Sequence, residues 1–173
     1  STDRTSTIVR RLLLTLANAY GQLFDPHFTL PLIGHFAPYE WFTEILAWLT
    51  LIGALAIAES DPEYAKFIVP HAVESLPKAL HAYDPDGAWM EGPGYWHYAT
   101  RYTAYGLCAL QTALGADFGL SDMPGLRATG HFPWYTTGPT GLFLNYADSG
   151  ERSTHKPMPC MFWLAREYSD SSI

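Results

Sequence analysis

Four tyrosines recur at helical spacing near the middle of the chain. Tyr95, Tyr98, Tyr102 and Tyr105 are three or four residues apart in the segment YDPDGAWMEGPGYWHYATRYTAY, and this spacing puts them on one face of a helix. Aromatic rings with a polar tip are suited to stacking on pyranose faces, so the stripe is typical of a sugar site. Core packing with the hydroxyl groups at the edge is the competing interpretation.

Ionisable side chains accompany the stripe. His97 and Arg101 are four residues apart and share a neighbouring face of the same helix, and Glu91 lies on the glycine-rich loop before it. As a sugar site, this segment would bind ring substituents through Glu91 and Arg101. The substrate-binding residues predicted within it are Glu91, Trp96, Tyr98 and Tyr102.

Other candidate residues carry weaker signals. His131 lies beside Trp134 in TGHFPWY and could reach a cleft, although a surface loop explains the same residues. Glu91 with Asp84 or Asp86 could form the carboxylate pair of a glycoside hydrolase, but a turn alone explains Asp-Pro-Asp-Gly. The seven histidines form no His-x-His or His-x-x-x-His pair, so we predict no metal site and no cofactor.

Composition limits the possible classes of function. The 173 residues are 48% hydrophobic and 16% charged, which excludes a disordered chain and suits one domain. The net charge of −7 and the lack of a basic cluster argue against a nucleic-acid partner.

The sequence predicts no membrane span. The segment from Ile45 to Ala58 is free of charge, but it is too short to span a bilayer. The two cysteines, Cys108 and Cys160, leave the compartment undecided.

The elements that must position these residues are mainly helices. Apolar spacing and capping residues predict four longer helices. They run from Ser6 or Thr7 to about Tyr20, from Pro38 to near Ser60, from Asp61 to Tyr83, and from about Gly94 to Leu114. An irregular segment is expected over 22–38. Short helices are expected around Ser121 to Arg127 and over Met158 to Tyr168, and a brief strand over Phe143 to Tyr146. We expect Pro70 and Pro77 to kink or divide their helix. The fold class predicted is mainly α, in a single helical domain over 1–173.

Two long motifs resemble a known family. DGAWMEGPGYWHY and TGPTGLFLNYADSG, within a family-like region of about 51–150, are similar to the helical toroid domain of heparinase II/III-like polysaccharide lyases, a group allied to the alginate lyases. Residues 1–50 diverge. The resemblance implies helical hairpins that form part of an (α/α) toroid, here incomplete. It also implies an acidic polysaccharide or oligosaccharide as the partner and a periplasmic or secreted location.

The resemblance further implies β-elimination at a uronic acid. By its place in EGPGYW, Tyr95 would remove the C5 proton and protonate the leaving oxygen. His97 and Arg101 are the nearest candidates to neutralise the substrate carboxylate. Tyr95, His97 and Arg101 are therefore the predicted catalytic residues.

A non-catalytic helical module for carbohydrate binding or assembly is the alternative. The family has an Asn-rich segment that helps bind the carboxylate, whereas PYEWFTEILAWLT keeps Trp41 but offers no Asn or His. A twelve-helix toroid needs about 216 residues, so we expect a fragment, a pared-down relative or a redesigned piece. Exposed helix flanks then predict a homo-oligomer or a missing companion domain.

Overall fold

The computed structural model describes residues 40–150 and 158–173, with side chains from residue 47 onward. Its longer helices are α1 (Glu40–Ala56), α2 (Pro62–Leu80), α3 (Pro93–Leu114) and α6 (Pro159–Glu167). The short helices are α4 (Leu126–Thr129) and α5 (Phe132–Tyr135), and two 3-10 turns span His81–Tyr83 and Leu120–Asp122. The mainly α prediction is confirmed for these residues. The helix predicted up to Tyr20, the irregular segment 22–38 and the Trp41 side chain lie outside the described part.

α1 lies between α2 and α3. It packs against both α2 and α3, and its Trp48 and Leu51 side chains are fully buried, as is Leu107 of α3. Gly106 of α3 faces the Trp48 ring so closely that a methyl group there would overlap it. Glycine at this position therefore lets the two helix backbones approach each other. None of the described helices has the length and apolar character needed to cross a bilayer.

α2 is one continuous helix, so the prediction that its prolines divide it is wrong, while a kink at Pro70 or Pro77 stays a prediction. Pro70 and Pro77 both lie inside the helix. Each proline removes a backbone donor, which in a helix would bond to the carbonyls of Lys66 and Val73. Nearby side chains bond to the adjacent carbonyls: His71 Nδ1 lies 2.7 Å from the carbonyl oxygen of Phe67, and the Ser75 hydroxyl donates to the carbonyl of Ala72. These are side-chain bonds within the helix, and they do not replace the two bonds that the prolines remove.

The brief strand predicted over Phe143 to Tyr146 is also wrong. No strand forms among the described residues of this segment, and Thr137 and Phe143 pair as an isolated antiparallel bridge. Gly138 and Leu142 close a tight turn between them, in which the Gly138 N–H donates to the Leu142 carbonyl at 2.8 Å. The chain then leaves the bridge through exposed residues and Ala147, which has a positive φ of 49°, so the pairing does not extend.

α3 begins and ends close to where its sequence predicts. Pro93 occupies the first turn, where its missing N–H costs nothing, and Gly115 follows Leu114 in the left-handed conformation with φ 72°. The buried side of α3 carries Trp96, Ala99, Thr100, Thr103, Leu107 and Leu110. Its opposite side is the one that carries the tyrosine stripe.

Candidate functional site

The tyrosine stripe lies on the outer surface of α3. Tyr98 is 39% exposed and Tyr105 47% exposed, whereas Tyr95 and Tyr102 are half-buried and pack against the edge of the core. Core packing therefore explains Tyr95 and Tyr102 in part, and does not explain the other two. The outer surface formed by Tyr98, Arg101, Tyr102 and Tyr105 is called the tyrosine face below.

The rings of the tyrosine face contact one another edge to face. The Tyr98 and Tyr102 ring centroids are 5.2 Å apart with an interplanar angle of 80°, and those of Tyr102 and Tyr105 are 6.4 Å apart at 86°. Perpendicular contacts of this kind are the arrangement that aromatic quadrupoles favour. The three rings therefore hold one another in fixed orientations along the helix.

Arg101 supplies the positive charge of the tyrosine face. Its Cζ atom lies 5.5 Å from the Tyr98 ring centroid and 5.1 Å from that of Tyr102. Both distances are within the range of a cation–π contact, which uses the ring faces. A cation–π contact uses the charge of the guanidinium and none of its N–H donors, so these donors can still bind a carboxylate.

His97 and Tyr98 are held in their neutral forms. Burial, and then the nearby charge of Arg101, lower the pKa of His97, so its imidazole is mainly uncharged at neutral pH. Burial and then Tyr102 raise the pKa of Tyr98, and these effects outweigh Arg101. Tyr98 is therefore a hydrogen-bonding phenol, and Arg101 is the residue among these three that carries charge.

Tyr95 lies in the first turn of α3, on a different side of the helix from His97. Two residues correspond to a rotation of about 200° around a helix axis, so the two side chains leave the helix in different directions. Tyr95 and Tyr102, seven residues apart, return to the same side. Tyr95 is thus aligned with the half-buried edge of the tyrosine face.

The two family-like motifs meet at the start of α3. The Tyr146 hydroxyl donates to the Trp89 carbonyl at 2.7 Å, and the Gly94 N–H donates to Ser149 Oγ at 3.4 Å. Gly92, at φ 87°, leaves no room for a side chain between its backbone and Ser149. The segment NYADSG therefore covers the loop that carries Glu91, which is half-buried.

Trp96, predicted to contact substrate, is instead a core residue. Its side chain is fully buried, and its Nε1 donates to Thr129 Oγ1 at 2.7 Å. The Thr129 hydroxyl in turn donates to the Gly87 carbonyl at 2.7 Å. The prediction for Trp96 is corrected because its position on α3 faces inward. Sequence reasoning missed Thr129, which no local motif distinguishes.

His131 and Trp134 lie in a different environment from the tyrosine face. His131 Nε2 is 2.9 Å from Asp170 Oδ2, and Phe132 beside it packs on Trp96, on the buried side of α3. Trp134 is 52% exposed. The described contacts of His131 therefore connect it to the C-terminal segment, and none of them connects it to the tyrosine face.

The carboxylates considered for glycoside hydrolysis are used in local structure. Asp84 Oδ2 lies 2.7 Å from His81 Nδ1, and Asp86 Oδ1 accepts from the Ala88 N–H at 3.2 Å. Both contacts are within the turn that the sequence explains. Among the described residues, no group of three or more histidine, cysteine, aspartate or glutamate side chains is arranged to hold a metal ion.

Comparison with known proteins adds no assignment. A scan against models of protein families gives no match, and a search of curated proteins finds no significant relative. The resemblance to heparinase II/III-like lyases therefore depends on the two quoted motifs alone.

Proposed function

We propose that this chain is the helical part of a polysaccharide lyase that acts on a uronate-containing polysaccharide. The observation that carries the proposal is the position of Arg101, whose guanidinium lies within cation–π distance of two tyrosine rings on an exposed helix face. Such a face offers ring stacking and a carboxylate-binding cation together. The packing of α1 between α2 and α3 suits helical hairpins of an incomplete (α/α) toroid.

In the proposed reaction, Tyr95 acts first as base and then as acid. Its phenolate removes the C5 proton of a uronate, a C4–C5 double bond forms, and the C4–oxygen bond breaks. The phenol then returns the proton to the leaving glycosidic oxygen, so the tyrosine ends as it began. Charge that builds on the substrate carboxylate requires a neutralising partner, which we assign to Arg101.

The electrostatics of the face support the choice of Arg101 over His97 as the charged partner of the substrate carboxylate. A tyrosine with an ordinary pKa near 10 needs nearby positive charge to ionise at neutral pH. Since the lowered pKa leaves His97 mainly neutral, we assign it a hydrogen bond to substrate and leave the charge to Arg101. Glu91, Tyr98 and Tyr102 would contact the sugar. Trp96 takes no direct part.

Ultraviolet absorbance of the unsaturated uronate product tests the proposal. The chain is incubated with alginate, heparan-type polysaccharide and glucuronan, and the Tyr95→Phe variant is run beside it. We expect absorbance to rise with at least one substrate for the wild type and to be lost in Tyr95→Phe, which cannot carry the proton.

Tyr135→Phe is the matched control, because Tyr135 is 82% exposed on α5 and outside the proposed site. It should keep the wild-type rate. Equal activity in Tyr95→Phe and Tyr135→Phe would refute the role of Tyr95. Folded wild-type chain that yields no unsaturated product on any of the polysaccharides would refute the lyase.

A non-catalytic carbohydrate-binding module is the second candidate. It is favoured by the neutral His97 and the protonated Tyr98, which leave a face better equipped to bind than to transfer protons. Affinity electrophoresis through gels that contain each polysaccharide separates the candidates. A binding module is retarded in the gel and, unlike the lyase, produces no unsaturated uronate.

A further inference from the structure

The tyrosine face continues beyond the residues assigned to the reaction. Tyr105 lies two turns along α3 from Tyr98, a distance of about 10 Å along the helix axis, and it is among the more exposed aromatic side chains of this helix. Its ring contacts Tyr102 and has no part in the core. No step of the proposed reaction uses it.

The two ends of the face differ in charge. Arg101 contacts Tyr98 and Tyr102 but not Tyr105, and the next outward positions of the helix are Cys108, Ala109 and Thr112, which are uncharged. One end therefore suits a carboxylate together with a ring. The Tyr105 end suits a sugar ring alone, held by stacking and by the phenol hydroxyl.

We infer that Tyr105 is a specificity residue, which binds a different sugar unit from the one held by Arg101 and so makes affinity depend on chain length. The inference rests on the proposed function for its ligand, a uronate oligosaccharide. Charge favours that occupant over a second copy of the chain. A symmetric contact through this face would bring two Arg101 side chains towards each other, whereas an acidic saccharide complements Arg101.

Calorimetric titration with uronate disaccharide, tetrasaccharide and hexasaccharide tests the inference. It is done in the Tyr95→Phe background so that substrate is not consumed. We expect affinity to rise with length, and Tyr105→Ala to weaken the longer ligands about fivefold or more while leaving the disaccharide unchanged, as the loss of one ring contact requires.

Two variants control the measurement. Tyr105→Phe keeps the stacking ring and should bind the hexasaccharide within about twofold of the parent. Tyr135→Ala removes an exposed tyrosine elsewhere and should leave all affinities unchanged. An equal loss for every ligand length in Tyr105→Ala, or no loss for any, would overturn the inference.

The remaining outcomes separate this inference from the proposed function. Length-dependent binding without unsaturated product from the wild type supports the inference and refutes the lyase. If the wild type yields unsaturated product but Tyr105→Ala binds every ligand normally, the lyase is supported and the inference about Tyr105 is refuted. If Tyr105→Ala converts a dimer to a monomer in sedimentation velocity while saccharide affinity is unchanged, a second copy occupies the face and the inference fails.

Discussion

The indole N–H of Trp96 donates to the hydroxyl of Thr129 across 2.7 Å, and that hydroxyl donates onward to the carbonyl of Gly87 at the same distance. Trp96 and Thr129 are both fully buried. One threonine therefore connects the first turn of α3, the end of α4 and the loop before α3. Because Trp96 is the neighbour of Tyr95 and His97, this connection sets the direction in which those two side chains leave the helix.

Thr129→Val should destabilise the fold strongly. Valine keeps the shape but leaves the Trp96 N–H and the Gly87 carbonyl buried without partners, which costs about 2–4 kcal/mol. Urea denaturation followed by tryptophan fluorescence measures the loss. Thr112→Val, at an exposed position of α3, is the control and should change stability by less than about 0.5 kcal/mol. Equal midpoints for the two variants would show that the hydrogen-bonded chain contributes little.

Gly106→Ala should destabilise the protein even though alanine is the better helix former. The added methyl group overlaps the Trp48 ring, and overpacking of this kind costs about 1–3 kcal/mol, more than the gain of about 1 kcal/mol in helix propensity. The comparison is Gly94→Ala, where the new methyl group meets Ser149 Oγ at an ordinary 3.8 Å. Thermal unfolding should show a lower midpoint for the first variant and no decrease for the second.

Stability should fall in acid through Asp170. Hydrogen bonds from the Ser172 hydroxyl and N–H, and then from His131, lower the pKa of Asp170 to about 2. A carboxyl group whose pKa is lower in the folded state stabilises the fold above its ordinary pKa of about 3.9, and this stabilisation is lost as the pH falls towards 2. Asp170→Asn should therefore lower the melting temperature at pH 7, and the difference from wild type should shrink between pH 4 and pH 2.

Asp148→Asn, at an exposed position, is the control for removal of a carboxylate. The test is the melting temperature of wild type, Asp170→Asn and Asp148→Asn, measured at pH 7 and between pH 4 and pH 2. A constant difference between Asp170→Asn and wild type at every pH would contradict the assignment.

Arg101→Gln should raise the pKa of His97. The positive charge of Arg101 disfavours protonation of the imidazole, and its removal leaves burial as the cause of the lowering. The pKa of His97 should therefore rise without reaching its ordinary value. Titration of the imidazole signals by NMR measures the shift, and Arg127→Gln, which removes a cation stacked on Tyr168, should leave His97 unchanged. An unchanged pKa of His97 in Arg101→Gln would show that the charge of Arg101 does not contribute to its lowering.

Local sequence signals predicted the bounds of the helices better than their packing. α3 follows Gly92 and stops at Gly115 because proline in the first turn and a left-handed glycine after the last turn act through their own backbones. The continuity of α2 could not be read in the same way. Pro70 and Pro77 lie inside this helix, although a rule based on the missing proline donor predicts a break at each of them.

The spacing of the tyrosines predicted that they share a face, but not which side of α3 faces inward. That choice depends on residues remote in sequence: Trp48 beside Gly106 on one side and Thr129 beside Trp96 on another. Periodicity shows which residues share a side of a helix, and the tertiary partners determine which of those sides faces the core. Hence the spacing predicted that Tyr98 shares a face with the other tyrosines, but it did not predict that Trp96 faces the core.

The contact between the segments around Gly92 and Ser149 has a consequence for protein engineering. Since the two segments are about 55 residues apart in the chain and leave no space for a side chain at Gly92, they form one transferable unit. A chimaera that takes the glycine-rich loop from another helical domain must take the segment that covers it as well. Exchanging either one alone would put mismatched backbones together where α3 begins.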